Sequence, residues 1–398
     1  MKILLTDGNE RSTLAAARDL AADGHLVVTG HHSRRSLTGF SRSVRESIVY
    51  PDPAAGGDPF VESLAREIRT RGIEALIPMT DLTVSTVLAR RDRFGGDLLI
   101  PFPSGETWER AADKLHLIEK AEELGIPVPR TVVLHRVEEC ARVPSDLFPC
   151  VAKARVSGLV REGRWRKTRV QRAEERGALR EAIGQMEWAG PPYLVQESIR
   201  GPGVGIFLLV RKGEVLASFA HRRVREKPPE GGVSTSCESA PLRGDLAEHA
   251  ARLLGGLGWD GVAMVEFKED LRDGKPKLME VNGRLWGSLQ LAVSCGVPFP
   301  RLLVRSFLGE KIPSPRPYPV GRKLQWILGD LDHLLAVALR GKKPAGGGDH
   351  AAARALLGFA RGLLPGVHHQ VFSLSDPRPW AHECGEYVRA LFHRDLRS

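Results

Sequence analysis

Three polar side chains alternate along one short apolar segment. In KLMEVNGRLWGS (277–288), Glu280, Asn282 and Arg284 hold every second position, with Leu278, Val281 and Leu285 around them. Positions two apart on a strand share a face, so an acid, an amide and a guanidinium would stand in a row. The preceding segment MVEFK carries Glu266, and a turn near Asp273–Gly274 makes the two segments a hairpin. Its strands would bring Glu266, Glu280 and Asn282 together. Facing carboxylates repel and need a counter-charge. Magnesium supplies it, because it takes oxygen ligands and fills its other positions with water or phosphate oxygens. Arg284 would face the same site and meet a phosphate through two parallel N–H bonds. A lone E-x-N is best explained as a hairpin face turned to water. The strand context, Glu266 and Arg284 together favour the metal site.

A nucleotide phosphate needs cations as well. Lys153 lies mid-strand in PCVAKAR between apolar neighbours, a setting less common for lysine than a helix surface. Lys114 opens the helix DKLHLIEKAEELGIPVP and by itself would be read as solvated.

The elements that must position these groups are legible in outline. Apolar 2–6, 25–30, 73–79 and 97–103 read as strands, and 12–23, 59–72 and 82–95 as helices. Short strands separated by such helices imply a parallel, doubly wound sheet. The first turn, TDGNERST, has one glycine and no GxGxxG, which disfavours a dinucleotide. Asp81 falls at a strand's carboxyl end, where open α/β sheets bind ligands, and equally well caps the helix that follows. Two helices stopped by Gly125 and a Pro-bounded extended segment fill 104–134. A β-rich region follows, with strands in 148–158, 193–199, 205–226 and 261–283 and a turn at Lys212–Gly213. The Pro-rich 312–320 then leads to a helical tail in which KKPAGGG (342–348) reads as a surface loop.

At 398 residues the chain should form two or three domains, and 42% hydrophobic with 27% charged residues is ordinary for globular protein. No apolar run approaches the roughly 20 residues of a membrane span. MKILLTDGNE reads as a first strand rather than a signal peptide. Five scattered cysteines without CxxC suit free thiols and a cytoplasmic protein. The net charge of +10 fits an arginine-rich solvated surface or an anionic ligand. Aromatic residues are too few for a base-stacking platform, which disfavours nucleic acid.

Taken in order, ADKLHLIEKAEELGIPVPRT, FPCVAKAR, YLVQESIRGPGVGIF, AHRRVRE, MVEFK and LMEVNGRLWGS resemble the ATP-grasp superfamily, in particular its carboxylate–amine ligase-like branch. The resemblance covers nearly the whole chain, including VFSLSDPRPW near its end. The implied fold is α/β: a doubly wound pre-ATP-grasp domain over 1–108, linker helices and a small α+β lobe over 109–200, a large lobe with the magnesium site over 201–312, and a mostly helical extension over 313–398.

The resemblance also implies roles. Lys114 and Lys153 would contact the ATP phosphates, and Gln196, Glu197 and Ile199 would form the adenine-binding hinge, the last two through backbone groups. Glu266, Glu280 and Asn282 would hold one or two magnesium ions, with manganese able to substitute. Arg284 would stabilise the transferred phosphoryl group, and His221 and Arg222 would contact phosphate or acyl phosphate. EGGVSTSCES (230–239) would close on the substrates through Gly231, Gly232, Ser234 and Thr235, with Asp81 nearby. Two departures stand out. Gly201-Pro202-Gly203-Val204-Gly205 replaces the usual ribose-binding acid, and the loop expected to cover the phosphates offers only Ser157, Gly158 and Gly163 among several arginines.

The implied reaction phosphorylates a small carboxylate with ATP and passes the acyl group to an amine, giving an amide, ADP and phosphate. Partners would be small molecules and a second copy of the chain. Rival readings are a carboxylase using bicarbonate, a phosphotransferase, and a nucleotide- or RNA-binding regulator without turnover. No side-chain nucleophile is needed. Cys237 is assigned to packing, and His31-His32 and His368-His369 to the surface or the structure.

Overall fold

The alternation at the N-terminus folds as expected. A computed structural model describes residues 1–229, 232–314, 316–340 and 351–395. The N-terminal domain comprises β1 (Lys2–Leu5), α1 (Arg11–Ala22), β2 (Leu26–His31), β3 (Glu46–Val49), α2 (Gly57–Arg71), β4 (Ala75–Ile77) and α3 (Asp81–Leu88). Its sheet runs β3-β2-β1-β4, and every pairing is parallel. Two details differ from the sequence reading. β3 is a strand that the expected set lacks, its apolar Ile48-Val49-Tyr50 being short, and the strand expected over 97–103 is a single bridge from Leu99 to Ala75. Asp81 is not the cap of α3. Thr80 is, accepting from the Thr83 N–H at 3.3 Å, while Asp81 occupies the first helical position.

α4 (Gly105–Ala112) and α5 (Lys114–Glu123) lead into the small lobe, and side chains cap both helices, Ser104 the first and Asp113 the second. The lobe contains β5 (Thr131–Leu134), β6 (Cys150–Ala154), the hairpin β7 (Gly158–Arg161) and β8 (Arg164–Lys167), β9 (Gln171–Ala173), α6 (Arg176–Gly184) and β10 (Tyr193–Glu197). Its antiparallel sheet runs β5-β10-β6-β9 and encloses its own core around Leu134, Leu179, Tyr193 and Val195.

The large lobe contains β11 (Gly203–Arg211), β12 (Glu214–Lys227), β13 (Val233–Ser239), α7 (Gly244–Gly256), β14 (Gly261–Glu269), β15 (Pro276–Asn282), α8 (Leu289–Ser294) and α9 (Phe299–Phe307). The rest forms β16 (Lys323–Gln325), α10 (Ile327–Arg340), α11 (Ala351–Gly362), β17 (His368–His369) and α12 (Arg378–Asp395). The seven-stranded sheet runs β15-β14-β11-β12-β13-β16-β17, so the C-terminal segment completes the large lobe's sheet. The segment expected to be a substrate loop is therefore mostly β13, paired on both sides. Gly231 and the loop expected at 342–348 lie outside the described residues.

One face of this sheet shares a core with the N-terminal domain, where Phe207, Leu285 and Val304 join Ile3, Leu64 and Leu76. The other face packs under α5 and α7 through Leu117, Leu246, Leu254 and Phe267. Ion pairs fasten the first junction: Arg301 Nε donates to Asp19 Oδ1 at 2.8 Å and Arg305 Nε to Asp23 Oδ2 at 3.0 Å. No helix among the described residues is long and apolar enough to cross a membrane.

The C-terminal segment also returns to the N-terminal domain. Asp376, 3% exposed, accepts from Arg18 Nε at 3.0 Å, Ser41 Oγ at 2.6 Å and the Arg42 N–H at 3.0 Å. Burial alone would raise its pKa, but these donors outweigh it and hold the carboxyl below its ordinary value. A depressed folded pKa stabilises above the unfolded value and is lost as pH falls through the folded one. Asp376→Ala should therefore lower the unfolding free energy at pH 7 by about 3 kcal/mol, the scale for breaking a buried charge pair. In denaturation series the deficit should narrow below about pH 4.

Candidate active site

The β14–β15 hairpin sets Glu266 directly opposite Glu280 and Met264 opposite Asn282. Glu266 is 7% exposed, and its carboxyl is pushed up to about 7. Burial is the main cause, and Glu280 adds to it against the opposing pull of Arg223. Asn282 Nδ2 donates to Glu280 Oε1 at 2.9 Å, which turns the amide's donor inward and leaves its oxygen as an acceptor. The donor set is two carboxylates and an amide. No cluster of three His, Cys, Asp or Glu occurs at metal-binding distance among the described residues. Two carboxylates and an amide oxygen are hard donors, which fit magnesium with water or phosphate in its other positions.

Two lysines approach the acids from other elements. Lys114 is held at the start of α5 by the Asp113 cap and by its own N–H bond to Arg155 O at 2.9 Å. Its Nζ donates to Ser157 Oγ at 2.8 Å. Lys153, on β6 opposite Leu194, makes no hydrogen bond through its side chain among the described residues. Burial lowers the pKa of both lysines, that of Lys153 to about 8, with Glu280 pulling the other way. Half-buried cations with no ion pair among the described residues are groups for which a phosphate would supply the missing charge.

The side chains expected from β12 divide by face. Gly205 pairs with both Glu266 and His221, so these three share one column of the sheet. Arg223 lies one step along the same face, donates to Glu266 Oε2 and also donates to Glu226 Oε1 at 2.9 Å. Arg222 projects from the opposite face, is exposed and pairs with Glu238. Arg223, not Arg222, is therefore the arginine of this site. His221 is on the correct face but 2% exposed, edge-on to Phe207 at 4.7 Å, with both ring nitrogens unpartnered. Burial and then Arg223 push its pKa down to about 3, so it is a neutral packing group and no phosphate-binding cation.

Arg284 also departs from expectation. β15 ends at Asn282, and Arg284 leaves the strand to grip Asp81 with two bonds, Nε to Oδ1 at 2.9 Å and Nη2 to Oδ2 at 3.0 Å. Asp81 is thus brought to the site, but as the arginine's anchor. In the expected substrate loop, Thr235 is fully buried and donates to Asp330 Oδ1 at 3.0 Å, and Ser234 Oγ donates to Ser236 O at 3.1 Å. Gly232 has Lys227 O only 2.4 Å from where a Cβ would stand. All three serve the strand's own packing. Cys237 is fully buried, with burial pushing its thiol up to about 12.

At the expected hinge, Gln196, Glu197 and Ile199 are all buried. Gln196 Nε2 donates to Thr131 Oγ1 at 3.0 Å. The Glu197 carboxylate accepts from the Arg130 N–H at 2.9 Å, Arg272 Nη2 at 2.8 Å and Lys277 Nζ at 3.0 Å, tying the small lobe to the β14–β15 turn. The Ile199 N–H makes no hydrogen bond among the described residues and is available to a ligand. The β7–β8 hairpin reaches the N-terminal domain, where the Trp165 N–H donates to Ala54 O at 2.9 Å. Two of its arginines serve the small lobe itself: Arg166 stacks 4.3 Å from the Trp188 ring centre, and Arg161 donates to Ala189 O at 3.4 Å. Beside Lys114, Ser157, Glu280 and Asn282 opens a cavity of about 420 Å³.

Residues 189–328 match a family model described as ATP-grasp in the biosynthetic pathway with Ter operon. Over that segment the chain is similar to ATP-grasp proteins. Solved ATP-grasp structures share the fold at low identity. N5-carboxyaminoimidazole synthetase from Staphylococcus aureus superposes with a TM-score of 0.64 at 12% identity, over 85% of this chain and 86% of that one. The biotin carboxylase domain dimer of Hydrogenobacter thermophilus 2-oxoglutarate carboxylase, in complex with MgADP, ADP and bicarbonate, gives 0.63 at 16% identity, over 81% and 73%. L-amino acid ligase from Bacillus licheniformis gives 0.59 at 17% identity, over 77% and 74%. No curated protein matches the chain by sequence. Because Arg223 and not Arg222 bonds Glu266, Arg223→Ala should lower any ATP-dependent ADP release roughly 100-fold, the scale of one preorganised donor. Arg222→Ala should stay within about fivefold, the scale of an exposed ion pair.

Proposed function

We propose that this protein is an ATP-dependent ligase that activates a carboxylate as an acyl phosphate and joins it to an amine. The observation that carries this reading is the opposed Glu266–Glu280 pair with Arg223, Lys114 and Lys153 converging on it. Those groups suit a polyphosphate and its counter-ion, and phosphoryl transfer depends mainly on such positioning and charge neutralisation.

In this reading Lys114 and Lys153 hold the phosphates, while the hinge at Gln196–Ile199 takes the adenine with the Ile199 N–H as donor. Glu266, Glu280 and Asn282 would hold magnesium, which when bound neutralises phosphate charge and polarises the γ-phosphoryl group. A carboxylate oxygen of the substrate forms a bond to the γ-phosphorus as the bond to the ADP oxygen breaks. Arg284, held flat by Asp81, and Arg223 face the charge that develops on the phosphoryl oxygens. The amine nitrogen then attacks the acyl carbon, phosphate departs with the bonding electrons, and the amine's proton passes to solvent. His221 takes no part, since it is neutral and sealed.

The similarity to a carboxylase domain solved with bicarbonate supports a second reading, in which bicarbonate is the carboxylate. That domain is a dimer, and a homodimer is the assembly we infer here. Five free thiols suit a reducing cytoplasm.

The test is ADP release by the full chain with magnesium-ATP and pooled carboxylates, with and without amines. Release that requires both supports ligation, release without amine points to a phosphotransferase, and release with bicarbonate alone as the acid points to the carboxylase. No release above background from any pool would overturn the proposal. Glu280→Gln should cut turnover by roughly 100-fold or more with unchanged thermal melting, and unchanged turnover would remove the metal assignment.

A further inference from the structure

The cavity beside Lys114 has unusual walls. Trp108 from α4, Trp165 from β8 and Trp259 from the segment before β14 all line it, three of the chain's seven tryptophans. Other tryptophans pack ring against ring: Trp286 lies 4.1 Å from Phe207 and 4.9 Å from Phe299 between ring centres, and Trp380 meets Phe372 at 6.0 Å. Among the described residues Trp108, Trp165 and Trp259 make no ring contact with each other or with another aromatic side chain. All three border the cavity, Trp108 and Trp165 half-buried and Trp259 from within the core under α5 and α7.

The sequence is fitted to this arrangement at Gly283, directly after Asn282. A Cβ there would stand 2.2 Å from the Trp259 ring and 3.2 Å from Trp108 Nε1. The glycine is needed for space, and it lets two indoles close on the end of the strand that carries Glu280 and Asn282. Gly158 does the same on the hairpin, where a Cβ would lie 2.1 Å from the Trp165 ring. Of the four acids at the wall, Asp81 is answered by Arg284 and Asp113 by Arg155 Nε at 2.6 Å, while Glu109 and Glu280 make no ion pair among the described residues. The apolar part of the wall is formed by the three indoles with Leu117 and Val281, and the volume of about 420 Å³ suits a group of one or two rings.

We propose that this cavity receives the apolar body of the carboxylate substrate, an aryl group or an alkyl group of similar bulk, with its carboxylate directed to the Glu280–Asn282 end. The assignment rests on the ligase reading for the fate of that carboxylate, but not for the binding itself. Trp165 rides on the hairpin that docks on Ala54, which holds its ring at the wall.

Calorimetric titration of the full chain with 3-phenylpropionate and with succinate tests this. The aryl acid should bind at least tenfold more tightly than succinate, retain its affinity in saturating magnesium-ADP, and lose at least tenfold in Trp165→Leu. Trp188→Leu, outside the cavity, should bind like the parent, and thermal melting should show both variants folded. Equal affinity for succinate, displacement of the aryl acid by ADP, or undiminished binding in folded Trp165→Leu would each overturn the proposal. Binding as described with no ADP release from any acid and amine would sink the ligase reading and leave the cavity assignment standing. ADP release with polar acids alone, and no aryl acid binding, would do the reverse.

Discussion

Two carboxylates face each other across a hairpin, Glu266 buried and Glu280 half-buried at the edge of a cavity. Burial, with the facing Glu280 adding to it, pushes the carboxyl of Glu266 up to about 7. Much of the surrounding structure answers this pair. Arg223 comes from β12 on the same sheet, Lys153 from the small lobe and Lys114 from the linker helix. These cations belong to separate elements, so the charge balance of the site depends on how the lobes meet.

The cores are arranged to match. The large lobe and the N-terminal domain share apolar packing and the ion pairs of Arg301 and Arg305, so the acids and the Arg284–Asp81 pair sit on one body. The small lobe keeps a separate core and is joined through the strand end at Gln196–Ile199 and the Glu197 contacts. Lys153 and the β7–β8 hairpin travel with it. A ligand between the lobes would therefore meet groups carried by two separate cores. The C-terminal segment reinforces the body of large lobe and N-terminal domain by extending the sheet through β16 and β17 and by clamping α1 through Asp376.

Much of this was legible in the sequence. The alternation in LMEVN and the turn at Asp273–Gly274 placed three oxygen donors on one hairpin, because strand period and turn chemistry are local rules. The doubly wound order of the N-terminal strands followed from alternating apolar runs and helices. What was not legible depended on register. The hairpin turn at Lys212–Gly213 is evident, but one extra residue in β12, near Leu216, shifts the pairing between Leu209 and Val210. That bulge exchanges the faces of everything beyond it, and so decides that Arg223 and not Arg222 reaches Glu266. Nothing local announces a bulge. Similarly, VSTSCES carries small polar residues that suit a loop, yet its neighbours β12 and β16 recruit it as a strand. The tryptophans of the cavity are scattered over about 150 residues, and only the fold assembles them.

In the proposed function the opposed carboxylates would hold a magnesium ion that neutralises the phosphates of a bound nucleotide. Calorimetric binding of ADP to the full chain with magnesium, and again with the metal chelated, is the test. Magnesium should strengthen ADP binding at least roughly tenfold, and Glu280→Gln should abolish that difference. ADP binding that is indifferent to magnesium, or a magnesium effect that survives Glu280→Gln in a folded protein, would contradict it.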